Sequence, residues 1–351
     1  MLYSLGRNRL FNVFKLTVAF FLVAAVNSSF AHTLIDIGSP GIASAAWGVS
    51  GDGSVIIGEE GSAPFMYAYG QRTLLPTLGQ NNRVCAISED GSVIVGFSSM
   101  LRNVQFNITS ICGVKWEKIP SAGYKVIELP LTSWGHWAEA YAVSADGNVI
   151  VGRGNDGFDT VTAVKWCDDR ITWVHDFESL FGVYQDCYAC ANAVSGDGSV
   201  IVGVRGDNAM KWEGGIETCL GSLGDGQTLP QGISKDGKVI VGSSWTCSGQ
   251  CHAFVYKDGV INDLGTLGGD FSEAKAVSGD GSIIIGASTT TTNALHAFQY
   301  VDGKMIDLGT LGGNDSCAHA ISNDGKVIVG RAQTATGLWH AFLCYTTTET
   351  P

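Results

Sequence analysis

The chain is 351 residues long, with 47 glycines, 45% hydrophobic residues, 15% charged residues and a formal net charge of −12. Disorder is excluded, because it needs low hydrophobicity and high charge. A nucleic-acid partner is excluded as well, because phosphate binding needs a basic footprint. Abundant glycine with few charges suits many short strands joined by tight turns.

The first element read along the chain is an export signal. Arg7, Arg9 and Lys15 precede the apolar run "LTVAFFLVAAV" (16–26), and Ser29 and Ala31 stand at −3 and −1 of a cleavage site after Ala31. This pattern predicts a signal peptide over 1–31 and a mature domain over 32–351. The alternative is an uncleaved anchor, but the run is short for a bilayer span. No later segment reads as a spanning helix, so no stable membrane span is expected after cleavage. All ten cysteines follow Ala31. Export permits disulfides, but spacing does not give their pairing. "CYAC" (Cys187, Cys190) and "CSGQC" (Cys247, Cys251) lack four-ligand zinc spacing, and structural or free thiols are expected.

From residue 44 onward the chain repeats itself. Ser-x-Asp-Gly recurs with its Asp at 52, 90, 146, 197, 236, 280 and 324, at spacings of 38, 56, 51, 39, 44 and 44 residues. Each unit carries four strand-like segments, illustrated by "ANAVS" (191–195), "VIVG" (200–203), "HAFVYK" (252–257) and "VINDLG" (260–265). "KDG" (257–259) and "VDG" (301–303) read as hairpin turns between the third and fourth segments. A period near 40–50 with only β signals predicts four-stranded propeller blades. The last unit stops after "HAFLCY" (340–345), lacking a fourth strand, while "HTLIDIG" (32–38) is a fourth strand without a unit. Pairing them removes two exposed sheet edges. The predicted fold is therefore an all-β, seven-bladed β-propeller, closed by the N-terminal strand completing the last blade.

These residues resemble the bacterial HAF-repeat family of extracellular repeats. The resemblance rests on His-Ala-Phe at 252–254, 296–298 and 340–342, and on "DLGTLGG" at 263–269 and 307–313. It is specific over 251–344 and looser from 33 to 250, where "KW" replaces "HAF". It implies an exported protein and no established reaction.

The seven aspartates read as turn hardware, since Asp and Ser side chains bond nearby backbone N–H groups and Gly supplies positive φ. A metal would need more converging oxygen ligands. The HAF histidines, His252, His296 and His340, read as hydrogen-bonding to a neighbouring blade. On the innermost strand a small residue is kept at Gly48, Ala86, Ala142, Ala193, Gly232, Ala276 and Ala320. The residue before it differs in every unit: Trp47, Cys85, Tyr141, Asn192, Gln231, Lys275 and His319. This ring is one candidate ligand-binding surface; plain tolerance at a solvent-filled channel is the other reading.

"LTSWGHWAEAY" (131–141) supplies Trp134, His136 and Trp137 as further candidates, and "FESLFGVYQDCYACAN" (177–192) adds Tyr184. These aromatics could stack on a partner or cover an enlarged blade edge. Three functions follow: an exported, non-enzymatic binding module for a protein or glycan at the cell surface; a hydrolase or lyase of extracellular polymer; or a structural envelope protein. The enzyme reading needs Glu139, His136, His319 and Lys275 to converge. No catalytic residue, metal site or cofactor is assigned.

Overall fold

The computed structural model describes residues 33–103, 108–120, 123–132, 135–155, 160–168, 170–174 and 188–346. Every regular element among them is a strand. β-branched and aromatic runs interrupted by Gly and Asp leave no stretch with helical period.

The strands form four-stranded antiparallel meanders in chain order. The first sheet is Ser44–Val49, Val55–Glu60, Ala63–Ala68 and Gln71–Leu74. Further four-stranded sheets start with Gln80–Ile87, Ala138–Val143 and Ala189–Val194. Meanders starting with Thr228–Ile233 and Gly268–Val277 join into one eight-stranded sheet through the parallel pair Cys251 and Phe271. The last sheet contains Gly312–Ile321, Val327–Thr334 and Trp339–Tyr345, and takes its fourth strand, Ile35–Asp36, from the other end of the chain. That strand runs antiparallel, with Ile35 opposite Leu343 and Asp36 opposite Phe342. The architecture is a β-propeller.

Apolar residues pack between neighbouring sheets. Phe342 shares a cluster with Ile285 and Ala297, and Phe65 shares one with Val329 and Ala341. Phe254, Phe298 and Phe342 of the HAF triplets are fully buried, each stabilising the fold by roughly 1.5–3 kcal/mol. Where "KW" replaces "HAF", a tryptophan two residues further on is buried instead. Trp116 Nε1 donates to Pro76 O at 2.6 Å, and Trp166 Nε1 donates to Pro130 O at 2.8 Å.

The Ser-x-Asp-Gly turn has one geometry throughout. The buried Ser hydroxyl donates to Asp Oδ1 at 2.6–2.8 Å. The same Oδ1 accepts the backbone N–H two residues on at 2.9–3.1 Å. Ser Oγ accepts the N–H five residues on at 2.9–3.0 Å. The following Gly lies at φ 70–77° in all seven turns, where a side chain would be strained. These bonds hold the aspartates ionised. The Ser54 N–H, then the Ser54 and Ser50 hydroxyls, lower Asp52, and Asp197, bonded first by Ser195, falls to about 2.

Candidate functional site: the open end of the axis

The residue between Ser and Asp lies where the sheets converge. Gly51 N–H donates to Glu89 O, Glu89 to Ala145, Ala145 to Gly196, Gly196 to Lys235, Lys235 to Gly279 and Gly279 to Asn323, all at 2.8–3.1 Å. Asp324 N–H returns to Gly51 O at 3.2 Å. Lys235 Nζ also reaches across to both Glu89 oxygens at 2.7–2.8 Å. One end of the axis is thus stitched by backbone bonds and capped by an ion pair. A cavity of about 100 Å³ lies there.

The other end is built from side chains that do not repeat. In every unit the pairing of the first and second strands shifts register around the variable residue, so Trp47, Cys85, Tyr141, Asn192, Gln231, Lys275 and His319 each occupy a β-bulge. A bulge leaves one residue outside the ladder and re-aims it. The Gly of "VIVG" permits it: a Cβ there would come within 1.9–2.2 Å of the carbonyl oxygen two residues before the bulge. All seven bulge residues are half-buried.

Their neighbours carry charge. Glu59 pairs with Arg83 at 3.0 Å, Glu139 with Arg153 at 2.7 Å, and Glu273 with Lys275 at 2.8 Å. Tyr141 donates its hydroxyl to Glu139. Burial, and then that bond, raises the Tyr141 pKa far above the phenol range. Asn192 bridges to Pro230 O at 2.8 Å. Trp47 stacks on His319 with centroids 4.2 Å apart, and its indole N–H lies toward Glu59 without closing a hydrogen bond. His319 Nδ1–H donates to Ala46 O at 2.9 Å. Burial, with Arg331 and Lys275 adding positive charge, pushes His319 down to about 3.

Beside this mouth opens a cleft of about 700 Å³ lined by Arg102, Leu131, His136, Trp137, Glu139 and Arg153, among others. Buried Asn155 fixes its lip, accepting the His136 and Trp137 N–H groups at 2.6 and 3.1 Å. Arg153 lies 5.7 Å from the Trp137 ring and 5.6 Å from the Tyr141 ring, so the cleft and the mouth share one guanidinium. His136 is exposed and Trp137 half-buried. Trp134 and Tyr184 lie outside the described residues.

Of the four groups the enzyme reading requires, His136 and Glu139 line the cleft together. Lys275 is committed to Glu273, and His319 to Ala46 and Trp47. Sequence reasoning missed Glu59, Arg153 and Arg331. The available signal was the residue after the "VIVG" glycine, which varies as Glu59, Phe97, Arg153, Val204, Ser243, Ala287 and Arg331.

The HAF histidines need a correction. Each binds within its own sheet rather than to a neighbouring blade: His252 Nδ1 to Asp263 at 2.8 Å, His296 to Asp307 at 2.7 Å, and His340 to Asp36 at 2.8 Å. The "DLG" aspartate of the fourth strand sits diagonally across from the third-strand histidine, so the partner is already in reach. The neighbouring unit is contacted instead by the next residue, with Ala253, Ala297 and Ala341 N–H donating to Ser272, Ser316 and Ser44.

The nine described cysteines are unpaired, and Cys187 lies outside the described residues. Burial pushes Cys85, Cys190 and Cys317 up to about 12, so these thiols stay protonated and are poor nucleophiles. Among the described residues no group of three or more His, Cys, Asp or Glu is placed to hold a metal.

No family model and no curated protein matches the chain. Solved structures do. A chain of the mitotic checkpoint complex aligns over 99% of this chain and 98% of its own, at 13% identity and a TM-score of 0.54. Likeness at that identity speaks for the fold alone. A TolB from Agrobacterium tumefaciens aligns over 87% of this chain and 91% of its own at 14% identity and a TM-score of 0.41. A TolB from Acinetobacter baumannii aligns over 88% and 65% at 12% identity and 0.43. Both are too distant to carry an argument.

Proposed function

We propose that this chain is an exported, non-enzymatic binding propeller of seven blades, closed by its N-terminal strand, which engages a protein partner through the open end of its axis. The observation that carries the reading is the inequality of the two ends. One is stitched by repeated backbone bonds, while the other combines non-repeated bulge residues with a cleft anchored by Trp137 and Arg153. Aromatic and arginine side chains beside a concavity are what protein recognition uses most. Seven turns and the pairing of Ile35–Asp36 with the last sheet support the blade count and closure. Export rests on the N-terminal sequence, which lies outside the described residues.

A photoreactive residue placed at His136 should capture a defined protein from the cell envelope, and the same residue at Lys238, on the stitched end, should not. Trp137→Ala should weaken capture roughly tenfold or more while the melting temperature holds. Equal capture from both ends, or retention on an oligosaccharide array in its place, would overturn the protein-binding reading. Mass spectrometry of the secreted product should find His32 as its first residue; a retained Met1 would remove export.

A further inference from the structure

The charges around the open mouth do not balance. The positions two before each bulge, at the bulge, and after the "VIVG" glycine contain three carboxylates, Glu59, Glu139 and Glu273. They also contain four cations, Arg83, Arg153, Lys275 and Arg331. Three pairs form, and Arg331 is left over. Its guanidinium rests on the Trp339 ring at 4.7 Å, and its Nε is buried without an acceptor. Among the described residues it faces no carboxylate partner. A buried donor left without an acceptor is costly, and a surplus cation is unexpected in a chain of net charge −12. Arg331 and Lys275 both disfavour protonation of the neighbouring His319.

We propose that Arg331, stacked on Trp339 beside Lys275 and His319, is the seat for one carboxylate carried by the ligand of the open mouth. The inference rests on the reading of that end as the binding end. A single surplus charge matches a carboxylate; a phosphate monoester brings nearly two. The planar guanidinium fork presents parallel donors to the two oxygens. Stacking on Trp339 holds the fork in place, so little side-chain freedom is lost on binding.

The test uses the purified mature chain and the indole N–H signal of Trp339 in NMR, assigned with Trp339→Phe. Three peptide mixtures are titrated: neutral peptides with a free C-terminus, the same peptides amidated, and amidated peptides with one internal Glu. The first or third mixture should move the signal and the second should not, and which one responds names the source of the carboxylate. Arg331→Met should weaken the response roughly ten- to a hundredfold, and Arg331→Lys should restore part of it. An equal response to the amidated neutral mixture, no response to any mixture, or full binding by Arg331→Met overturns the seat. Cross-linking at His136 is read separately, so a failed seat leaves the proposed function standing.

Discussion

At the scale of the residue, the same short hydrogen bonds that define the repeat also make it stable. Ser195 is buried and serves twice, donating to Asp197 at 2.7 Å and accepting from Val200 N–H at 2.9 Å. Ser195→Ala leaves that N–H unpaired and should cost about 1–3 kcal/mol in denaturant unfolding. A cost below a few tenths would show that the hydroxyl is dispensable. His319 gives a pH prediction of definite sign. Its folded pKa of about 3 lies below the ordinary value of 6.5, so the unfolded chain binds the extra proton between them. The stability it contributes is present above pH 6.5 and lost as pH falls toward 3. His319→Phe keeps the stack on Trp47 and should flatten the fall in melting temperature between pH 7 and 4.5. An unchanged slope would mean that His319 protonates freely in the folded state.

At the scale of the element, the N-terminal strand repeats the chemistry of an ordinary fourth strand. Leu264 and Leu308 N–H donate to Ala253 and Ala297 O, and Ile37 N–H donates to Ala341 O at 3.0 Å. Gly265 and Gly309 N–H bond the preceding aspartate, and Gly38 bonds Asp36 in the same way. A segment some 300 residues away in sequence thus makes the bonds that elsewhere belong to a neighbouring strand. A chain beginning at Ser39 loses buried Leu34 and Ile37 and bares the edge of Trp339–Tyr345. It should melt at least several degrees lower and self-associate on gel filtration. A monomer of unchanged melting temperature would mean that the strand adds nothing. This complementarity was legible in sequence, because "IDIG" differs from the "IDLG" of 306–309 only at Ile37, and "HAF" is identical in all three units.

At the scale of the whole molecule, the stitched end makes a collective prediction. The amides of Gly51, Glu89, Ala145, Gly196, Lys235, Gly279 and Asp324 form one circuit, each bond joining one unit to another. They should exchange hydrogen slowly and at similar rates, because opening any of them separates neighbouring sheets. Fast exchange at Asp324 or Gly51 alone would mean that the circuit is broken between the first and last sheets. The Lys235–Glu89 pair above it is half-exposed and contributes under about 1 kcal/mol, so Lys235→Ala should leave the protection pattern intact.

What the sequence determined by itself is everything held by contacts a few residues apart: the Ser-x-Asp-Gly turn, the type of each strand, and, by counting those turns, the number of repeats. Such bonds join residues two to five positions apart, so their spacing is printed in the chain. Only the tertiary structure decided that the variable residues are bulges, that Glu139 belongs to Arg153 rather than to a catalytic group, that His252 binds in its own sheet, and that Arg331 has no carboxylate partner among the described residues. Those facts depend on which strands lie side by side and how they register. A charge finds its partner through space, so only the assembled propeller could show which one had been left without one.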